Sequence, residues 1–339
     1  FKYSRKSKKI FAGDLRSLRA RVYNPSYPTA SATFAVSFVL SLYFLQGVFY
    51  MITEKDTAIV HIKKVMYMMD KLTGNGYRSA ESVFVDFLTL SACSYSNVFD
   101  LTNKETREKR YLDIVKKYKK EELNYFSTAL GELAMAAEIY LQHGYIKDIL
   151  GYIYTSRQYY KKAMGQYFTP DNIAIFMTEI INGDFKQLEK EDFISVSEPT
   201  CGSGVMILAF AQNMLKKEIN YQNSMFADAW DLDQTCALMA YVQFSIYNIP
   251  AIVTHGDSLS LKAYSKWITP MYFINDFPGK QKRKEMINTL RKLLIDTDQS
   301  SKNNSHLQIE ESAIAATPDI DMQSIREKFE LQSLFNEAI

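Results

Sequence analysis

Between residues 57 and 160 the apolar positions recur three and four apart, the period of a helix with one buried face. Ile59, Ile62, Val65, Met66 and Met69 form one such stripe, and Val83, Phe84, Phe87, Leu88 and Ser91 a second. Leu112, Val115 and Tyr118 form a third, and Phe126, Leu130, Leu133 and Ala137 a fourth. Breakers separate the stripes at Gly74-Asn75-Gly76 and around 97–104. The pattern predicts four or five bundled helices. Within it, Met66-Tyr67-Met68-Met69 reads as adaptable core filling rather than the lining of a groove.

Near residue 160 the period changes. Thr169-Pro170 offers an N-cap hydroxyl and a proline at the first helical position. Ile173, Phe176, Met177, Ile180 and Ile181 then make an apolar stripe, and Gly183 a stop. Short apolar runs at 193–197, 225–231 and 250–254 alternate with helical patterns at 203–218 and 234–247. Strands separated by helices of this length call for right-handed crossovers and a parallel sheet. The fold class predicted is therefore α/β, a Rossmann-like domain preceded by an α-helical one. Beyond Gly279 the chain turns polar, and its apolar residues suggest two short helices. The boundaries that follow are a leader at 1–52, a helical domain at 53–160, the α/β domain at 161–279 and a polar helical tail at 280–339.

Composition adds little to this and excludes more. In 339 residues, 47% apolar and 23% charged content is that of an ordinary globular protein. The net charge of +2 conceals clusters of Lys and Arg at 2–21, 104–120 and 280–292. The middle cluster is interleaved with Asp and Glu, so it reads first as a solvated helix face. Cys93, Cys201 and Cys236 show no paired or metal-ligand spacing, which points to a reducing, cytoplasmic setting and no structural metal. Residues 32–52 stand apart: uncharged, mostly apolar, long enough to span a bilayer, and preceded by Lys2, Arg5, Lys6, Lys8 and Lys9. Three readings stay open there, namely a membrane or signal-like segment, a buried helix, or a non-native leader ahead of a protein that begins near Met51.

Candidate chemistry gathers around Glu198-Pro199-Thr200-Cys201-Gly202-Ser203-Gly204, between the first predicted strand and its helix. Glycines at such a turn let backbone approach a nucleotide-like ligand, and the helix start favours an anionic group. Upstream lies Gly165-Gln166-Tyr167-Phe168-Thr169-Pro170; downstream, Asp231 ends the second predicted strand and Asp257 follows the third. This ordered set resembles the S-adenosylmethionine-binding half of the adenine-N6 DNA methyltransferases, above all the modification subunits of type I restriction systems. The resemblance covers roughly 145–260, including Asp148-Ile149-Leu150-Gly151-Tyr152-Ile153-Tyr154. It implies S-adenosylmethionine as cofactor, DNA as substrate and a DNA-specificity subunit as partner. It also implies that residues 165–170 close over the methionine end and that Asp231 accepts the ribose hydroxyls. Asp257 is then the acceptor for the cofactor's adenine amine, and Cys201 a small turn residue with no nucleophilic role.

One element of that family is altered. Its Asn-Pro-Pro-Tyr/Phe loop, which holds the target adenine and stacks on it, has no counterpart here. The corresponding stretch reads Trp267-Ile268-Thr269-Pro270-Met271-Tyr272, as in a divergent methylase-like branch. Thr269, Pro270 and Tyr272 are the catalytic candidates it leaves. The family's sheet has seven strands, and the residues after Gly279 do not read as the remaining ones, so the domain reads as truncated. Two functions follow from the resemblance: a DNA adenine-N6 methyltransferase, or a catalytically inactive cofactor- and DNA-binding subunit that works through a partner.

Overall fold

The computed structural model describes residues 56–289, apart from 75, 160–165 and 183. The leader with its apolar 32–52 segment, Gly165, Gly183 and the tail beyond 289 thus lie outside the described residues. The chain divides after Arg283 into two compact units. The second contributes only 284–289, which are helical.

In the first unit, four helices precede the sheet: α1 (Asp56–Leu72), α2 (Ala80–Phe99), α3 (Lys104–Val115) and α4 (Lys120–Gln142). Three of the four predicted stripes are buried as expected. Ile62, Val65 and Met69 of α1 pack toward Phe126, Leu130, Leu133 and Ala137 of α4, and α2 is buried on nearly every side. Ser79 caps α2 by accepting from the Ser82 N–H at 3.1 Å. The third stripe holds in part, with Tyr118 buried and Val115 packed against the core. Leu112 is exposed, while Arg107 and Ile114 face inward. A guanidinium takes an apolar position because three hydrogen bonds hold it there: Asp100 at 2.6 Å, the Ser96 hydroxyl and the Lys266 carbonyl.

A segment at 144–148 leads into α5 (Ile149–Ser156), and α6 (Asp171–Asn182) follows. A 3₁₀ turn (Lys186–Glu189) then enters β1 (Ile194–Glu198), α7 (Val205–Lys216), the short α8 (Tyr221–Ser224) and β2 (Met225–Asp231). Next come α9 (Gln234–Ile246), β3 (Ala251–Asp257), β4 (Lys262–Ile268) and α10 (Pro270–Ile274). The strand order is β1-β2-β3-β4, with β1, β2 and β3 parallel. The three predicted strands and both crossover helices are present within a few residues of their expected bounds. β4 is the unpredicted element: it folds back antiparallel on β3, with an irregularity at His255/Gly256. Its single well-buried residue, Trp267, gives too little alternation for the sequence to announce a strand.

Ala227, Ala229, Ala251, Val253 and Trp267 share one sheet face and belong to a buried cluster that runs without a break from Ile62 of α1. The change of pattern near 160 is therefore a change of architecture within one core. Three side chains stitch the two parts together. Gln212 of α7 donates to the Gly144 carbonyl at 2.9 Å and accepts from the Ile146 N–H. Gln243 of α9 accepts from the Leu150 N–H at 3.0 Å, and the Tyr247 hydroxyl donates to the Lys147 carbonyl at 2.9 Å. On the other sheet face, Phe193, Phe226, Tyr272 and Phe277 form a small separate cluster.

The stripe predicted for α6 is inverted. Ile173, Phe176, Met177, Ile180 and Ile181 are all exposed, Ile180 and Ile181 at 68%. The buried side is the small one: Ala174 packs on Val205 and Ala209, and the Thr178 hydroxyl receives Asn213 Nδ2 at 2.6 Å. A close approach of two helices selects small residues and a matched polar pair over bulk. Among the described residues, no helix is long and apolar enough to cross a membrane.

Candidate functional site

The carboxyl ends of β1 and β2 hold the glycine loop. Cys201 N–H donates to the Trp230 carbonyl at 2.7 Å, extending the strand pairing by one bond before the chain turns. Gly202 and Gly204 then take φ of +55° and +98°, in the left-handed region that disfavours a side chain. At Gly204 the space is also closed, since a Cβ would stand 2.6 Å from the Phe244 ring. The turn thus delivers the chain into α7 with that helix's first N–H groups free of intrahelical partners.

Asp231 organises what faces this turn. Its Oδ2 accepts from the Gly202 N–H and its Oδ1 from the Asp233 N–H, both at 2.8 Å. Asp233 in turn caps α9 through the Thr235 N–H at 2.7 Å and receives Gln166 Nε2 at 2.8 Å. Burial raises the Asp231 carboxyl above its ordinary value, against the opposing pull of the two N–H donors. Phe168 lies against Gly202 and meets Tyr154 edge-on at 5.5 Å. Gln166, Phe168, Gly202 and Asp231 are therefore drawn to one place from three separate stretches of chain.

The other candidates are more loosely held. Tyr167 is 92% exposed, Thr169 is half-buried and Pro170 exposed. Pro170, rather than Thr169, supplies the first helical carbonyl of α6, so the helix starts one position later than expected. Glu198 Oε1 accepts from the Thr200 N–H at 3.2 Å, which rounds the loop at Pro199. Cys201 is buried, and desolvation, then the nearby Asp231 and Glu198, push its thiol far above the usual range. Asp257 ends β3 as a turn acceptor, taking the Leu259 N–H at 3.0 Å and the Ser260 hydroxyl at 2.7 Å. These bonds, the hydroxyl first, hold its carboxyl below the ordinary aspartate range.

Thr269, Pro270 and Tyr272 lie elsewhere. Because β4 runs antiparallel to β3, it carries Thr269 back beside Ala251, at the amino end of the parallel strands. Seven strand residues separate that end from Asp257, a span of about 20 Å. Thr269 is fully buried, accepting from the Ala251 N–H and donating to the Ile249 carbonyl, both at 2.8 Å. Pro270 starts α10, and Tyr272 is packed in the small cluster with its hydroxyl on Gln281 at 2.7 Å. The reversed direction of β4 thus sets these three at the opposite end of β3 from Asp257.

Sequence reasoning gave no role to three residues behind the loop: Asp148, Ser203 and Gln243. Asp148 lay within a quoted segment, but nothing in its spacing reveals a partner 55 residues away. His255 is on β3, half-buried and tilted against Tyr264 at 5.1 Å. Trp230 sits half-buried at the end of β2. Among the described residues no three His, Cys, Asp or Glu converge as metal ligands. The donor set fits a nucleoside carrying an anionic group: a carboxylate at the strand end for hydroxyls, and a helix start for a negative charge.

Residues 146–299 match the family described as N-6 DNA methylase. No curated protein matches the chain. Among solved structures, one from Listeria monocytogenes, provisionally assigned as a class I S-adenosylmethionine-dependent methyltransferase, aligns at 15% identity. The alignment covers 56% of this chain and 51% of that one, with a TM-score of 0.27. The chain spans about half the length of that protein.

Proposed function

From the match of residues 146–299 to the N-6 DNA methylase family, we propose that the chain binds S-adenosylmethionine at the carboxyl ends of β1, β2 and β3, in the service of adenine-N6 methylation of DNA. The observation that carries this is the Asp231 carboxylate bonded to the Gly202 amide, beside Phe168 and the start of α7. Asp231 exchanges the Gly202 or Asp233 amide for the two ribose hydroxyls. The amides opening α7 receive the methionine carboxylate, Gln166 steadies Asp233, and Phe168 walls the methionine side. Asp257 takes the adenine amine in place of Ser260. Residues of the quoted loop that make no such contact, Glu198, Pro199, Thr200 and Cys201, set its course.

When bound, S-adenosylmethionine supplies an electrophilic methyl group for direct displacement; the protein's share is to hold acceptor and methyl in line. The far-end placement of Thr269, Pro270 and Tyr272 favours a second reading, in which a partner supplies the acceptor side and this chain holds the cofactor. A DNA-specificity subunit is the partner that the likeness to the N-6 DNA methylase family favours.

Calorimetric titration with S-adenosylmethionine tests the shared premise. Asp231→Ala is expected to weaken binding at least tenfold, from the loss of charge-assisted bonds of about 1.5–3 kcal/mol. No binding by folded wild type would sink both readings. Transfer of labelled methyl to unmodified DNA, with and without the specificity subunit, then separates the enzyme from the cofactor-holding subunit.

A further inference from the structure

Behind the glycine loop lies a second carboxylate, Asp148, with no cation bonded to it among the described residues. Asp148 Oδ2 accepts the Ser203 hydroxyl. Its Oδ1 accepts the Gly151 N–H at 2.9 Å and Gln243 Nε2 at 2.8 Å. The same Gln243 amide group donates to the Ser203 carbonyl at 2.8 Å, and its oxygen takes the Leu150 N–H at 3.0 Å. Ser203 and Gln243 are buried at 0% and 1% exposure, and every polar atom of the Gln243 side chain is matched.

The neighbouring cation, Lys147, is bonded instead to Asp171 at 3.1 Å. Asp148 owes its place to two helix starts: it caps α5 directly, and reaches α7 through Ser203, the residue before the Gly204 N-cap. Gly151 completes the arrangement, because a Cβ there would stand 2.1 Å from Asp148 Oδ2. Asp148 thus fixes both ends of the Ser203 residue, its hydroxyl directly and its carbonyl by way of Gln243. The two torsions between those groups and the left-handed Gly204 decide where the first amides of α7 point.

We propose that Asp148 is the positioning residue of the glycine loop, holding through Ser203 and Gln243 the turn that aims the opening amides of α7 at the amino-acid end of the cofactor. This rests on the cofactor reading above and adds to it a second carboxylate that never touches the ligand. Its role is specific to one half of that ligand. The nucleoside half is held from β2 and β3, whereas the hydrogen bonds of Asp148 go to Gly151, Ser203 and Gln243.

The test uses the full chain and two ligands: S-adenosylmethionine, and 5′-methylthioadenosine, which keeps the nucleoside and sulfur but lacks the amino-acid end. Ser203→Ala removes the hydroxyl tie with the least risk to folding. It is expected to weaken S-adenosylmethionine binding about tenfold while leaving 5′-methylthioadenosine binding and far-ultraviolet circular dichroism unchanged. Asp148→Asn is the conservative rescue, since an amide oxygen still accepts from Gly151 and Gln243 and its NH₂ donates to Ser203. It is expected to keep S-adenosylmethionine affinity within about threefold. Equal loss of both ligands by Ser203→Ala, or loss of neither, overturns the proposal. So does Asp148→Asn losing as much as Ser203→Ala, because charge rather than position would then matter. Wild type that binds neither ligand sinks the cofactor reading itself, and this proposal with it.

Discussion

A single carbon at Gly204 bears on the whole loop. Alanine there must adopt a φ near +98° and press on the Phe244 ring at 2.6 Å. Strain and overpacking together are expected to cost about 2–4 kcal/mol. Gly74→Ala, also at positive φ but with no atom nearer than 3.7 Å, is expected to cost only about 1–2 kcal/mol. Urea denaturation of the two variants measures the difference, and equal costs would remove the steric argument. Asp148 supplies a pH dependence of definite sign. Burial raises its carboxyl above the ordinary 3.8, against the lowering pull of Ser203, Gln243 and the Gly151 N–H. The folded chain then binds this proton more tightly than the unfolded chain does. The stabilisation is complete below pH 3.8 and is lost as pH rises through the native value. Asp148→Asn cannot titrate, so its melting temperature relative to wild type is expected to climb as pH rises from about 3.8. A difference that stays flat or falls over that range contradicts the assignment.

At the scale of elements, what the sequence announced depended on the local pattern of apolar residues. β1, β2, β3, α7 and α9 were legible as apolar runs of strand or helix length between polar breaks, although α9 is buried on every side from Cys236 to Ser245. The glycine loop with Gln166, Phe168 and Asp231 was legible through order along the chain, which the fold converts into proximity. α6 was legible as a helix and misread in direction. Its bulk lies on Ile173, Phe176, Ile180 and Ile181, but its contact with α7 is made by Ala174 and Thr178. Hydrophobic size marks a helix, whereas the depth of packing is set by the partner surface. Ile180→Lys is accordingly expected to change stability by less than about 0.5 kcal/mol, and Ala174→Leu to cost about 1–3 kcal/mol. The reverse order in thermal denaturation would restore the inward stripe. β4 and the ties made by Gln212, Gln243 and Tyr247 were illegible for a common reason: each is a long-range pairing whose partner leaves no local signal.

Over the described part of the first unit, the buried cluster is continuous from Ile62 to Trp267. Helical and sheet portions are therefore expected to unfold in one transition, despite the change of sequence character near 160. Circular dichroism weights the helices, while the fluorescence of Trp230 and Trp267, the two tryptophans of the chain, reports the sheet. Coincident urea curves are the expected result; a helical signal that outlasts the fluorescence would divide the core. Arg107 carries this unity into time. Two of its acceptors, Ser96 and Asp100, lie within eleven residues, but the third is the Lys266 carbonyl, 159 residues further on. As the chain leaves the ribosome, α1 to α4 can gather long before that carbonyl exists. The interior they form then encloses a charge still short of one partner until β4 emerges and turns back on β3. The last hairpin of the sheet is in this sense the closing step of the first helices, and vectorial synthesis delays completion of the N-terminal core until nearly all of the first unit has been made.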